Sequence, residues 1–172
     1  MYIGEITEIL DYDKWIVKVK NETKARKLPI GSFLVVSNSK VGVLVGNLQK
    51  IPEDYIGKEG DFESDSGIFL NRTDEEEAYF KVLGVGEKGS SEFGINHPPG
   101  LREDVFRMEK EEVVDFHNKG GVSFSYYSDI VDFEKIELDI VYKILENLET
   151  IFSNKEVLNT LDALKRYTRR KK

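Results

Sequence analysis

From Met1 to about Leu48, apolar and polar residues alternate with a period of two and β-branched side chains are frequent, which predicts half-buried strands rather than helices. Four strands are expected there. Tyr2 to Leu10 places Ile3, Glu5, Thr7 and Ile9 on alternating positions, and Asp11-Tyr12-Asp13 turns the chain into Trp15 to Val19. Pro29-Ile30-Gly31 breaks the pattern before Phe33 to Val36, and Asn38-Ser39-Lys40 leads into Val41 to Leu48. Ala78 to Val85 reads as a further strand. Glu92 to Ile95 is a candidate for closing the sheet, and Leu101 to Met108 holds one more strand. Short strands joined by short turns favour a barrel, which leaves no open edge. Between them, Ile51 to Asp74 reads as a long excursion with a helical turn at Pro52 to Ile56 and a short strand at Gly67 to Leu70.

The period then changes. Glu109 to Phe116 predicts a short helix with Val113, Val114 and Phe116 facing inward. Asp132 is expected to cap a longer helix whose apolar positions Ile136, Ile140, Val141, Ile144, Leu145, Leu148, Ile151 and Phe152 recur at three- and four-residue steps. Ser153 reads as a second cap, with Glu156 completing a capping box, followed by Val157, Leu158, Leu161 and Leu164. The expected fold is therefore mainly β with α: a small closed β-barrel of about six strands (1–116), a linker (117–131) and a carboxy-terminal helical hairpin with a basic tail (132–172). Isolated short helices are marginal in water, so the hairpin's apolar stripe must pack on the barrel, on its own partner helix or on another subunit.

Composition narrows the chemistry. The 172 residues contain no cysteine, which removes disulfides, thiolate metal sites and Cys nucleophiles, and two histidines, which removes His-rich metal sites. No run approaches about 20 apolar residues, and Met1-Tyr2-Ile3-Gly4-Glu5 lacks the flank of an export signal, so a cytoplasmic protein without a membrane segment is expected. One-third of the residues are charged, with one glutamine and two methionines, a composition that leans towards a heat-adapted organism. The net charge is −7, yet Leu164 to Lys172 carries six cations (Lys165, Arg166, Arg169, Arg170, Lys171 and Lys172) and no acid. Any nucleic-acid surface must therefore be local. These cations also complement the negative pole of the last helix, so a structural role competes with a binding one.

The motifs that suggest catalysis each fail a chemical requirement. Gly84-Val85-Gly86-Glu87-Lys88-Gly89 fits a dinucleotide-loop pattern, but no amphipathic helix follows to hold a pyrophosphate, and a hairpin turn is expected instead. No G-x-x-x-x-G-K-[ST] loop is present to bind ATP phosphates. Asp61, Glu63 and Asp65 resemble the start of a calcium loop, but Ser66 stands where the turn needs glycine and Arg72 where a bidentate glutamate is needed. Asp74 to Glu77 reads as a charged turn. His97 and His117 lack a second ligand at helical spacing; His97, before Pro98 and Pro99, is a rigidly displayed contact candidate. Ser123, Ser125 and Ser128 lack a nucleophile elbow and a nearby base. No cofactor and no catalytic residue is expected.

Three segments together resemble the HAS barrel, the small barrel shared by HerA-type DNA-translocating ATPases and the amino-terminal domains of rotary ATP synthase subunits. Ile3-Gly4-Glu5-Ile6-Thr7 is similar to that family's opening I-G-x-[IV] strand, and Pro29 to Val36 to its x-x-G-x-[FY]-[VL]-x-[VI] strand. Phe80 to Gly84, followed by His97-Pro98-Pro99-Gly100 and Asp104-Val105-Phe106, is similar to its closing V-L-G and P-P stretch. The resemblance covers residues 1 to 116. It implies a stand-alone barrel that oligomerises or docks, as family barrels do in forming the collar of a ring and contacting partners such as the NurA nuclease. No ATPase core follows, so motor activity is not implied.

The leading expectation is a non-enzymatic interaction or assembly module associated with a HerA-like DNA-processing complex, through a protein partner or self-association. The alternative is a nucleic-acid-binding barrel in which the tail contacts phosphates and Tyr126 and Tyr127 stack on bases. A third, an enzyme using a divalent cation in the acidic excursion from Asp61 to Glu77, rests on carboxylate abundance alone.

Overall fold

The computed structural model describes residues 1–20, 27–37, 39–49, 78–90, 93–118, 120–132 and 136–170. Six strands form a closed antiparallel barrel: β1 (Tyr2–Asp11), β2 (Lys14–Val19), β3 (Phe33–Val36), β4 (Lys40–Gln49), β5 (Ala78–Glu87) and β6 (Asp104–Arg107), in the order β1-β2-β5-β4-β3-β6 with β6 returning to β1. Four helices complete the fold: α1 (Lys110–His117), α2 (Tyr126–Asp132), α3 (Leu138–Ile151) and α4 (Lys155–Arg170). The expected barrel followed by carboxy-terminal helices is thus observed. The strand and helical turn expected between Pro52 and Leu70 lie outside the described residues.

Closure falls to β6, which pairs with both β1 and β3, and not to Glu92–Ile95. After β5 the chain turns at Lys88 and Gly89 and returns only as far as a single bridge between Gly86 and Phe93, with the Gly94 N–H donating to the Val85 carbonyl at 3.0 Å. Of the glycine-rich segment, Gly84 to Glu87 thus belong to β5, and the expected turn takes only Lys88 and Gly89. Strand β1 departs from strict alternation: Ile3 and Ile6, three apart, are both fully buried, and its pairing with each neighbour shifts register. Bulges of this kind bend a strand around a small barrel.

There are two cores. The first draws on all six strands, from Ile3 and Ile6 through Trp15, Val17, Leu34, Leu44, Phe80 and Val82 to Val105, and fills the barrel. The second lies outside it. Phe33, Val35, Val41, Val43, Leu83 and Val85 form an apolar wall against residues of all four helices. All four residues of β3 are consequently buried, Leu34 and Val36 with the barrel core and Phe33 and Val35 with the helices.

The helical hairpin packs on its own barrel. Helix α3 turns Val141, Ile144, Leu145 and Leu148 inward, and Val157 and Leu161 of α4 join the same core. Helix α3 passes so close to Gly31 that a Cβ on that glycine would lie 2.9 Å from the Ile144 Cα. Gly31 also has φ +90°, a conformation that side chains disfavour, and its carbonyl accepts a 2.7 Å bond from the Asn147 side chain.

The helix boundaries differ from expectation in three places. Asp132 does not start the long helix: it ends α2, and α3 begins at Leu138 with Glu137 as its cap. The stretch 117–131, expected to be a linker, contains α2, whose Tyr126, Tyr127, Ile130 and Val131 are spaced to bury one helical face. At α4 the cap is Asn154, whose side-chain oxygen takes the Glu156 N–H at 2.8 Å, one residue beyond the expected Ser153. A reciprocal capping box does form on α1, between Glu109 and Glu112. Among the described residues, no helix is long and apolar enough to cross a membrane.

Candidate interaction surfaces

The basic end of α4 is arranged by its neighbours on α3. Lys165 donates to Glu149 at 2.9 Å and stands 4.8 Å from the centre of the Tyr142 ring. Burial works against its charge, but the bond from Glu149 and that carboxylate's field outweigh it and hold the ammonium's pKa above the usual lysine value. One turn on, the Arg169 guanidinium lies 5.0 Å from the same ring and donates to the Tyr142 hydroxyl. Arg166 pairs with Asp162, one turn earlier on its own helix. Three of the six tail cations thus have intramolecular roles. Arg170 is exposed, and Lys171 and Lys172 lie outside the described residues.

His97 is exposed in the segment between β5 and β6, beside the buried Pro99. Tyr126 and Tyr127, expected to offer stacking faces to bases, are buried instead. Both belong to the inward face of α2: the Tyr126 hydroxyl bonds to His117, and the Tyr127 hydroxyl reaches the Leu164 carbonyl at 3.1 Å and Thr168 at 2.7 Å on α4. Their rings stabilise the helical layer and are withheld from solvent. Among the described residues, no group of three or more His, Asp or Glu gathers as a metal site, and the acidic excursion from Asp61 to Glu77 lies outside them.

A different surface stands at the β1–β2 turn. Leu10 and Tyr12, two large side chains at one turn, are 54% and 50% exposed. The turn is held firmly beneath them: Asp11 accepts the Tyr12 N–H at 2.8 Å, the Trp15 indole donates to the Tyr12 carbonyl at 3.1 Å, and the Gly84 N–H donates to the Asp13 carbonyl at 2.7 Å. Beside it lies a groove of about 160 Å³ floored by Trp15 and bounded by Leu10, Lys14, Val45, Lys81 and Ile136. Its lining is mostly apolar, with the lysines Lys14 and Lys81 among it.

The sequence held one signal of this surface: two large apolar side chains next to a polar turn, where strand alternation predicts none. Alternation predicts a continuous β1, whereas the register shift between Ile9 and Asp11 that displaces Leu10 arises only from pairing with β2. Compared with known proteins, the chain matches no family model and no curated relative.

Proposed function

We propose that the chain is a non-enzymatic interaction module whose partner docks on the β1–β2 end of the barrel. The observation that carries this reading is the pair of exposed side chains Leu10 and Tyr12 on a rigidly held turn, bordering an apolar groove rimmed by Lys14 and Lys81. Apolar anchors in a rigid frame bind at little cost in ordering, and a cationic rim adds selectivity for partners with acidic edges. The hairpin covers its own barrel's β3–β4–β5 wall, whereas Leu10 and Tyr12 at the β1–β2 end stand exposed. The segments that resemble the HAS barrel support assigning the partner to a ring-shaped, DNA-processing ATPase assembly.

Light scattering after size exclusion, with affinity capture from host extract, tests the reading on the native chain and on a Leu10→Ser/Tyr12→Ser variant. Loss of a partner or of an oligomer in the variant is the expected result. A strict monomer that retains nothing, or identical capture by both proteins, overturns it.

A further inference from the structure

His117 is fully buried at the end of α1, and both ring nitrogens are engaged. Nδ1 lies 2.7 Å from the Val113 carbonyl and Nε2 lies 2.7 Å from the Tyr126 hydroxyl. A carbonyl only accepts, so Nδ1 carries the proton and Nε2 presents its lone pair to the Tyr126 O–H. Around this pair stand Phe33 of β3, Phe116 of α1, Phe152 of α3, and Phe93 and Phe124 from the connecting segments, with ring centres 5.1–6.4 Å from the imidazole. One hydrogen bond therefore joins α1 to α2 inside an aromatic box.

We propose that His117 and Tyr126 form an acid-sensitive latch, in which protonation of the imidazole releases α2 and uncovers the apolar wall beneath it. A second proton on Nε2 sets an N–H donor against the Tyr126 O–H donor. The phenol must then turn its hydrogen into the surrounding rings, and the described residues offer it no second acceptor. The cation itself is stripped of water. The carbonyls at the end of α1 favour it, and desolvation in a box of phenyl rings opposes it. Among the described groups shown against the imidazole, Tyr126 of α2 is titratable, and burial keeps its phenol protonated well above neutrality. β3, α1, α3 and the connecting segments present Phe33, Phe116, Phe152, Phe93 and Phe124, while Glu112 of α1 is engaged by Lys88 at 2.6 Å.

Release does not stop at α1. Helix α2 has seven residues, too few to persist alone, and Tyr127 on it holds α4 through Thr168 and the Leu164 carbonyl. Opening the latch therefore loosens the link from α1 through α2 to α4 and exposes aromatic surface.

The test is a pH titration of the intact chain, read by tyrosine near-ultraviolet dichroism and by binding of a hydrophobic dye. A reversible transition is expected below the free imidazole value of about 6.5 and above the carboxylate range near about 4.3, with dye binding appearing as the dichroism falls. The His117→Phe/Tyr126→Phe variant replaces both polar partners by apolar rings and should lose the transition in that window. Persistence of the same midpoint in this variant, or the absence of any native transition between those pH values, overturns the proposal. If the variant does not fold, imidazole NMR of the native chain decides. The protein has two histidines, of which His117 is the buried one and His97 the exposed one. A His117 resonance that titrates while the Tyr126 signals stay unchanged also overturns the latch.

Discussion

The indole of Trp15 lies across Gly84 so closely that a Cβ on that glycine would stand 2.7 Å from the ring. Gly42, the register partner of Gly84 across β4 and β5, has the ring's other edge 3.1 Å from where its own Cβ would be, and Val82 at 2.5 Å. Two glycines facing each other on neighbouring strands thus open a slot in the barrel wall for its largest side chain. The same indole floors the groove and bonds to the turn that displays Leu10 and Tyr12, so packing inside the barrel and the candidate docking surface share one residue.

Gly84→Ala is expected to cost about 1–3 kcal/mol, because the added methyl can be seated only by moving the indole or Ile95. Trp15 is the protein's single tryptophan, so its fluorescence in a urea titration reports this core directly. Gly46→Ala is the control. It lies on the neighbouring strand β4 with Lys81 side-chain atoms no nearer than 3.7 Å and should change stability much less.

How much of this was legible in the sequence depends on which forces set each feature. Strand positions followed from alternation and turn residues, and α1 from its apolar spacing, because these are local. The slot for Trp15 was not legible, since Gly42 and Gly84 lie 42 positions apart and become a pair only through the β4–β5 register. Helix α2 was missed because its two tyrosines follow soon after a Gly-Gly pair and are held by His117 across a loop and by Leu164 and Thr168, about forty positions away. The tail's role was half visible. Its charge is plain in the composition, but its engagement with Tyr142 and Glu149 depends on how α3 and α4 lie side by side.

Glu112 gives a pH dependence of determined sign. The bond from Lys88 comes first, then the Glu109 backbone N–H, and together they lower the Glu112 carboxyl below the usual range despite some burial. The folded state therefore holds this proton less tightly than the unfolded chain. The resulting stability is present above the unfolded carboxylate value of about 4.3 and is lost as the pH falls through the lower folded value. Both partners are partly exposed, 30% and 40% by side chain, so the pair is worth only about 0.2–1 kcal/mol. Glu112→Gln should lower urea stability at pH 7 by that order and leave it unchanged near pH 2, with the difference shrinking in high salt. An equal loss at both pH values would assign the effect to the capping box and not to charge.

Truncating the tail and neutralising it should have opposite consequences. Thr168 is buried and bonds to Tyr127, so removal of residues 165–172 takes away the Lys165–Glu149 pair, the Arg169–Tyr142 contact and the Tyr127–Thr168 bond together. A melting temperature lower by several degrees is expected, since about 1 kcal/mol moves a chain of this size by about 2–4 °C. Arg166→Gln/Arg170→Gln, by contrast, alters exposed positions and should leave the melt within about 0.5 kcal/mol of the native protein. The second variant therefore separates binding from folding. On a DNA column at low salt, native and Arg166→Gln/Arg170→Gln proteins are expected to elute together, because three of the tail's cations already answer partners within the fold. Retention by the native chain that collapses in the variant and falls steeply with salt would establish α4 as a phosphate-binding surface.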